Sequence, residues 1–175
     1  MMFRRFNKRT AAAICAGLLV VLAAVAPVAA QDQAAVATPG TSRETAGPNF
    51  AGAVELEPGQ THWYRFRYTF DENLDDEPQT AAVTLKMNPV GCATFDVTTS
   101  GRLNFPFDNE GDLLGPVGKG TPFSTGGDDP QDTDRSQLDW VGSSPSSESY
   151  FVIVKQHGDT PCMYNLSIAG APVSF

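Results

Sequence analysis

The stretch Thr61-His62-Trp63-Tyr64-Arg65-Phe66-Arg67-Tyr68-Thr69-Phe70 carries the clearest structural signal in the chain. Tyr64, Phe66, Tyr68 and Phe70 fall at every second position, with Arg65, Arg67 and Thr69 between them. Successive side chains of a strand point to opposite faces, so this period of two predicts a strand with one face buried and one wet. The pattern recurs downstream. Thr80 to Met87 turns Val83, Leu85 and Met87 inward, and Cys92 to Thr98 carries Ala93, Phe95 and Val97 on one face. Leu138 and Trp140 are paired at strand spacing within Gln137 to Val141, and Tyr164, Leu166 and Ile168 form a last alternating strand. Tyr150 to Gln156 is a dense β-branched and aromatic run, the composition of a central strand buried on both faces. Upstream, Phe50 to Leu56 reads as a strand that ends at the turn Glu57-Pro58-Gly59-Gln60. No stretch beyond residue 30 has a convincing helical period. The predicted class is therefore all-β, an antiparallel β-sandwich of jelly-roll type over residues 50–175.

Two segments lie outside this pattern. Residues 100–134 hold many Gly, Pro and Asp with only short apolar patches, and read as a long loop with short strands around Leu103 to Phe107 and Leu113 to Val117. Loops of that length inside compact domains are usually functional or disordered, so the segment is the expected recognition surface. Gln31 to Asn49, rich in Ala, Thr, Pro, Gly and Ser, reads as a flexible linker.

The N-terminus reads as a signal peptide over residues 1–30. Arg4, Arg5, Lys8 and Arg9 precede the apolar run Ala11 to Val25, and Val28-Ala29-Ala30 presents small residues for cleavage before Gln31. The alternative is an uncleaved anchor, since extending the run to Ala30 gives about 20 residues, a bilayer's worth. Cleavage leaves 145 residues with eight basic side chains against 20 acidic ones, a net charge of −12. Such a surface repels phosphate backbones and anionic lipid, which argues against nucleic acid and against membrane binding after cleavage. Secretion to the medium or cell envelope is the expected destination.

Cys15 leaves with the leader, and Cys92 and Cys162 remain as an even pair in an oxidising compartment, which reads as one disulfide. Two buried thiols or a metal pair are the alternatives. For catalysis the chain offers only His62 and His157 as bases and no nucleophile-elbow motif. Carboxylates are plentiful but lie in loops, where solvation is their ordinary role. Three acidic clusters could supply hard oxygens to calcium: Glu72, Asp75, Asp76 and Glu77; Asp108, Glu110 and Asp112; and Asp128, Asp129, Asp132 and Asp134. The second and third share one long loop with Gly and are the favoured candidates. None matches an EF-hand, and solvated loop charge is the competing explanation. Trp63 and Trp140 suit core filling better than sugar stacking.

Gly52-Ala53-Val54-Glu55-Leu56, Pro58-Gly59-Gln60 and Trp63-Tyr64-Arg65-Phe66 resemble the opening of the bacterial pre-peptidase C-terminal (PPC) domain. Leu138-Asp139-Trp140, Tyr150-Phe151-Val152-Ile153-Val154 and Tyr164-Asn165-Leu166-Ser167-Ile168 resemble its closing strands in the same order. The resemblance implies a β-sandwich that accompanies exported enzymes, with collagen, polysaccharide or calcium binding in some members. Here the loop after Thr94-Phe95-Asp96-Val97 is longer and no catalytic domain is attached. The expected function is a non-catalytic binding or accessory module for an extracellular protein or polysaccharide. A self-assembling structural subunit is the alternative, and a small hydrolase the minor one.

Overall fold

The computed structural model describes residues 39–48, 52–74, 79–108, 110–124 and 133–175. Residues 1–30, expected as a signal peptide, and Asp75, Asp76, Glu77, Asp128, Asp129 and Asp132 lie outside the described residues. Among the described residues, ten strands form two five-stranded antiparallel sheets. The first sheet has the order β1-β9-β3-β7-β6 and the second β10-β2-β8-β4-β5. Their ranges are β1 Val54–Leu56, β2 Thr61–Tyr68, β3 Ala81–Asn88, β4 Ala93–Thr99, β5 Gly118–Lys119, β6 Thr121–Ser124, β7 Thr133–Gly142, β8 Glu148–Gln156, β9 Cys162–Ala169 and β10 Val173–Ser174. The chain changes sheet at every step except β4 to β5 and β6 to β7. This is the antiparallel β-sandwich that the alternating sequence predicts.

The inward faces meet as expected from the period of two. Tyr64, Phe66 and Tyr68 of β2, Val83 and Leu85 of β3, and Phe95 and Val97 of β4 are buried against Leu138, Val152, Val154, Tyr164 and Leu166. Phe66 stacks on Tyr150, with centroids 5.2 Å apart. β8 is the central strand of its sheet, and its outward Phe151 and Ile153 are buried as well. Cys92, just before β4, is bonded to Cys162 at the start of β9, so the disulfide joins the two sheets.

Three local expectations are corrected. Residues 39–48, read as linker, lie along β2: Trp63 N donates to Gly40 O at 2.8 Å and Arg65 N to Gly47 O at 2.8 Å. Ala46 is buried there, and the Arg43 guanidinium lies 5.7 Å from the Phe151 ring centroid. A small-residue composition permits such close backbone docking as readily as it permits flexibility. Second, the patch read as a strand at Leu103 to Phe107 begins as a one-turn helix, α1 Ser100–Asn104, with Thr99 Oγ1 accepting from Arg102 N. Third, the short strands come later, at β5 and β6, where the chain crosses from one sheet edge to the other.

That crossing depends on missing side chains. A Cβ on Gly118 would lie 1.8 Å from Trp140 Nε1, and one on Gly120 would lie 2.4 Å from the Phe95 ring. Gly is required at both places because the backbone itself closes over the two aromatic rings.

Candidate functional site

The segment Ser100 to Pro116 stands on the outer side of the second sheet, beside β4 and β8. It is held by a few specific bonds. Thr99 caps α1, and Phe105 N donates back to Gly101 O at 2.9 Å, ending the helix. The chain then runs out and returns. Leu114 N donates to Pro106 O at 2.6 Å, Phe107 bridges Leu113, and Asp108 N donates to Asp112 O at 2.9 Å. Gly111, at φ +88°, turns the tip. Arg102 Nη1 donates to Gly115 O at 2.7 Å and fastens the returning limb to the helix.

This hairpin presents apolar groups to water. Phe105 is 75% exposed, Phe107 59% and Leu113 73%. Between the hairpin and the sheet lies a hollow of about 220 Å³. Its walls are Leu103, Pro106, Leu114 and Pro116, its floor is Ile153, and Arg102 and Asp96 stand at its edge. Asp96 Oδ2 is paired with Lys155 Nζ at 2.7 Å, so the carboxylate there is already balanced.

At the tip, Asp108, Glu110 and Asp112 bring one carboxylate oxygen each within 4.8 Å of the others, all exposed. Asp108 Oδ1 accepts from Glu110 N at 2.9 Å and Asp112 N at 2.8 Å, which fixes its direction. Asp134 is on β7, where its carboxyl accepts from the Ser136 hydroxyl and amide. Those two bonds hold it below the usual carboxylate range. It joins no group of metal-ligating side chains among the described residues. The second sequence cluster is thus assembled in space, and from the third only Asp134 can be placed.

The two histidines differ: His157 is the exposed turn residue that the sequence suggests, and His62 is not. His62 is buried, with Nδ1 2.7 Å from Tyr164 Oη, and Tyr164 Oη is also hydrogen-bonded to Tyr64 Oη. Burial lowers the His62 imidazole below its ordinary value, pushes Tyr64 up to about 12, and raises Tyr164 too. Near neutrality this is an uncharged network in the core, suited to holding the two sheets in register rather than to moving protons. His157 is in the expected turn, with Nε2 2.7 Å from Thr94 Oγ1. Trp63 and Trp140 are both part-buried; Trp63 meets Phe151 edge-on and Trp140 packs on the core.

Sequence reasoning singled the segment out as a loop but did not show its hairpin geometry. Leu103 to Phe107 and Leu113 to Val117 were expected as strand residues because they are the apolar patches of the loop. Their lack of sustained alternation, inside a run of Gly, Pro and Asp, is the signal that sets them apart from the core strands.

Among the described residues no helix is long and apolar enough to cross a membrane. No known family profile matches the chain, and no curated protein matches it. Among solved structures, the chain is similar to PliG of Aeromonas hydrophila, a periplasmic lysozyme inhibitor of g-type lysozyme. The likeness has 16% identity and a TM-score of 0.36, over 67% of this chain and 82% of that one.

Proposed function

We propose that the chain is an exported, non-catalytic binding module whose 105–114 hairpin docks a protein target. The observation that carries this reading is the exposure of Phe105, Phe107 and Leu113 on one hydrogen-bonded hairpin beside an apolar hollow. Leaving a large apolar side chain in water forgoes about 1.5–3 kcal/mol of burial each. Grouped apolar exposure of that kind marks an interaction surface, and rigid aromatic anchors next to a pocket are the usual carriers of binding energy. The hollow, at about 220 Å³, has room for one large side chain of the partner.

The other readings have less support. All four edge strands, β1, β6, β5 and β10, are two to four residues long, and β6 carries Pro122. Short, Pro-bearing edges disfavour strand addition between copies, which weighs against a self-assembling subunit. For a hydrolase, the hydrogen bonds of His62 and His157 go to Tyr164 and Thr94, and neither engages a carboxylate among the described residues. The PPC resemblance remains part of the proposal, as an accessory module for a partner on another chain. Calcium at Asp108, Glu110 and Asp112 is its cofactor part, with the triad's convergence as support.

The test compares the mature protein with an F105S/F107S/L113S variant as bait against the medium and envelope of its own organism, after both are shown to melt alike. A protein retained by the first and lost by the second, then rebinding as a purified protein, is the expected result. Retention of the same proteins by both baits refutes the hairpin assignment.

A further inference from the structure

The outer face of the second sheet carries a second constellation, away from the hairpin. Ser174 of β10 pairs with Arg67 of β2, and Arg67 pairs with Ser149 of β8. Directly opposite residues of an antiparallel sheet share a face, so one guanidinium side chain stands between two hydroxyl side chains in a single cross-strand row. Adjacent strands are about 5 Å apart, a spacing at which one small ligand touches all three. Arg65 lies one strand period away on the same face. Arg65, Arg67, Ser149, Ser174 and Phe175 line one hollow of about 220 Å³. The Phe175 ring beside it is 64% exposed.

The charge arrangement is unusual for this chain. After Ala30 it has eight basic residues against 20 acidic ones, so carboxylate partners are abundant. Yet the one ion pair among the described residues joins Lys155 to Asp96. The guanidinium groups of Arg65 and Arg67 and the hydroxyls of Ser149 and Ser174 have no hydrogen-bond or ion-pair partner among the described residues. A third cation stands next to them, since Arg43 lies over Phe151, the residue paired with Arg65. Like charges gathered in this way repel, and an oxyanion set between them relieves the repulsion. The planar guanidinium fork matches a carboxylate through two parallel N–H···O bonds, and serine hydroxyls can donate to the same oxygens.

We propose that Arg65, Arg67, Ser149 and Ser174 bind a carboxylate carried on a unit about the size of one sugar or one amino-acid residue. The hollow sets the size, and Phe175 supplies an apolar wall for the unit's non-ionic part. The overall negative charge repels a long polyanion, so the ligand offers an isolated carboxylate rather than a dense row of them. This site is independent of the hairpin's function.

The experiment is titration of the full mature protein, followed by amide chemical shifts and calorimetry. One arm uses glucuronate and another N-acetylphenylalanine; methyl glucoside and N-acetylphenylalanine amide are the uncharged controls. At least one carboxylate should bind saturably, and the arm that binds identifies the source. R65Q and R67Q should each weaken binding about tenfold or more, the usual worth of a charge-assisted bond. S149A/S174A should weaken it less. These residues lie on the surface, and matched melting curves establish that each variant is folded. The proposal is overturned if neither carboxylate binds, if an uncharged control binds equally well, or if the R65Q/R67Q variant binds as the unchanged protein does.

Discussion

Replacing both Cys92 and Cys162 by Ala tests how much the fold depends on its link between sheets. The bond closes a loop of 70 residues in sequence separation. On the chain-entropy model, a loop of that length restricts the unfolded state by about 4 kcal/mol at 25 °C. The substituted side chains are small and both positions are buried, Cys162 completely, so truncation leaves a modest void and adds to the loss. For a domain of this size one kcal/mol corresponds to about 3–4 °C in Tm, which gives a drop of about 12–16 °C. Urea unfolding followed by tryptophan fluorescence, with calorimetry in parallel, measures both quantities. The slope against denaturant should rise, because the uncrosslinked chain exposes more surface when unfolded. A loss under about 1 kcal/mol with an unchanged slope would refute the reasoning, since it would mean that the unfolded chain is not restrained by the bond.

Two further outcomes follow from side chains described above. The folded His62 has a pKa below its unfolded value of about 6.5, so the unfolded chain takes up the proton first. Stability is therefore full above about pH 6.5 and declines as pH falls toward the folded value, at no more than about 1.4 kcal/mol per pH unit. In H62Q that part of the slope should vanish, and an unaltered slope assigns the acid sensitivity to other groups. For the tip carboxylates, millimolar calcium should raise Tm by several degrees over chelator, as a ligand at a hundredfold excess over Kd stabilises by about 2.7 kcal/mol. D108N/D112N should abolish the rise; equal melting with calcium and chelator leaves Asp108, Glu110 and Asp112 as solvated charge.

The strands were legible because burial in a two-layer sandwich imposes a period of two that composition cannot imitate. Tyr64, Phe66 and Tyr68 had to share a face, and so did Val83, Leu85 and Met87. What could not be read was everything set by three-dimensional closure. His62 is buried at the start of β2, where its Nδ1 is hydrogen-bonded to Tyr164 of β9 across 102 residues of sequence. Gly118 and Gly120 read as loop glycines, yet their role comes from the rings of Trp140 and Phe95 lying against them. The site divides in the same way. The acidic tip was visible as Asp108, Glu110 and Asp112 at alternate positions, a local pattern. The Ser174–Arg67–Ser149 row was not, because it joins three strands whose order no local pattern specifies.

The crossing of the chain from sheet to sheet has a consequence for how it is made. β2 pairs along its length with β8, residues 61–68 against 148–155, and β1 pairs with residues 162–164 of β9. β3 finds its two neighbours in β7 and β9, over residues 137–142 and 163–169. A chain emerging N-terminus first thus holds its aromatic strands without partners until the last quarter of the sequence follows. Pairings of such long separation must meet the entropy of loop closure before any contact rewards it, so folding is slow and waits for the C-terminal strands. For the proposed export of the chain, that delay would keep it threadable during passage. It also leaves the Thr61–Tyr68 stretch open to association with other chains meanwhile, and loss of β9 would strip β1 of its sheet neighbour and β3 of one of its two.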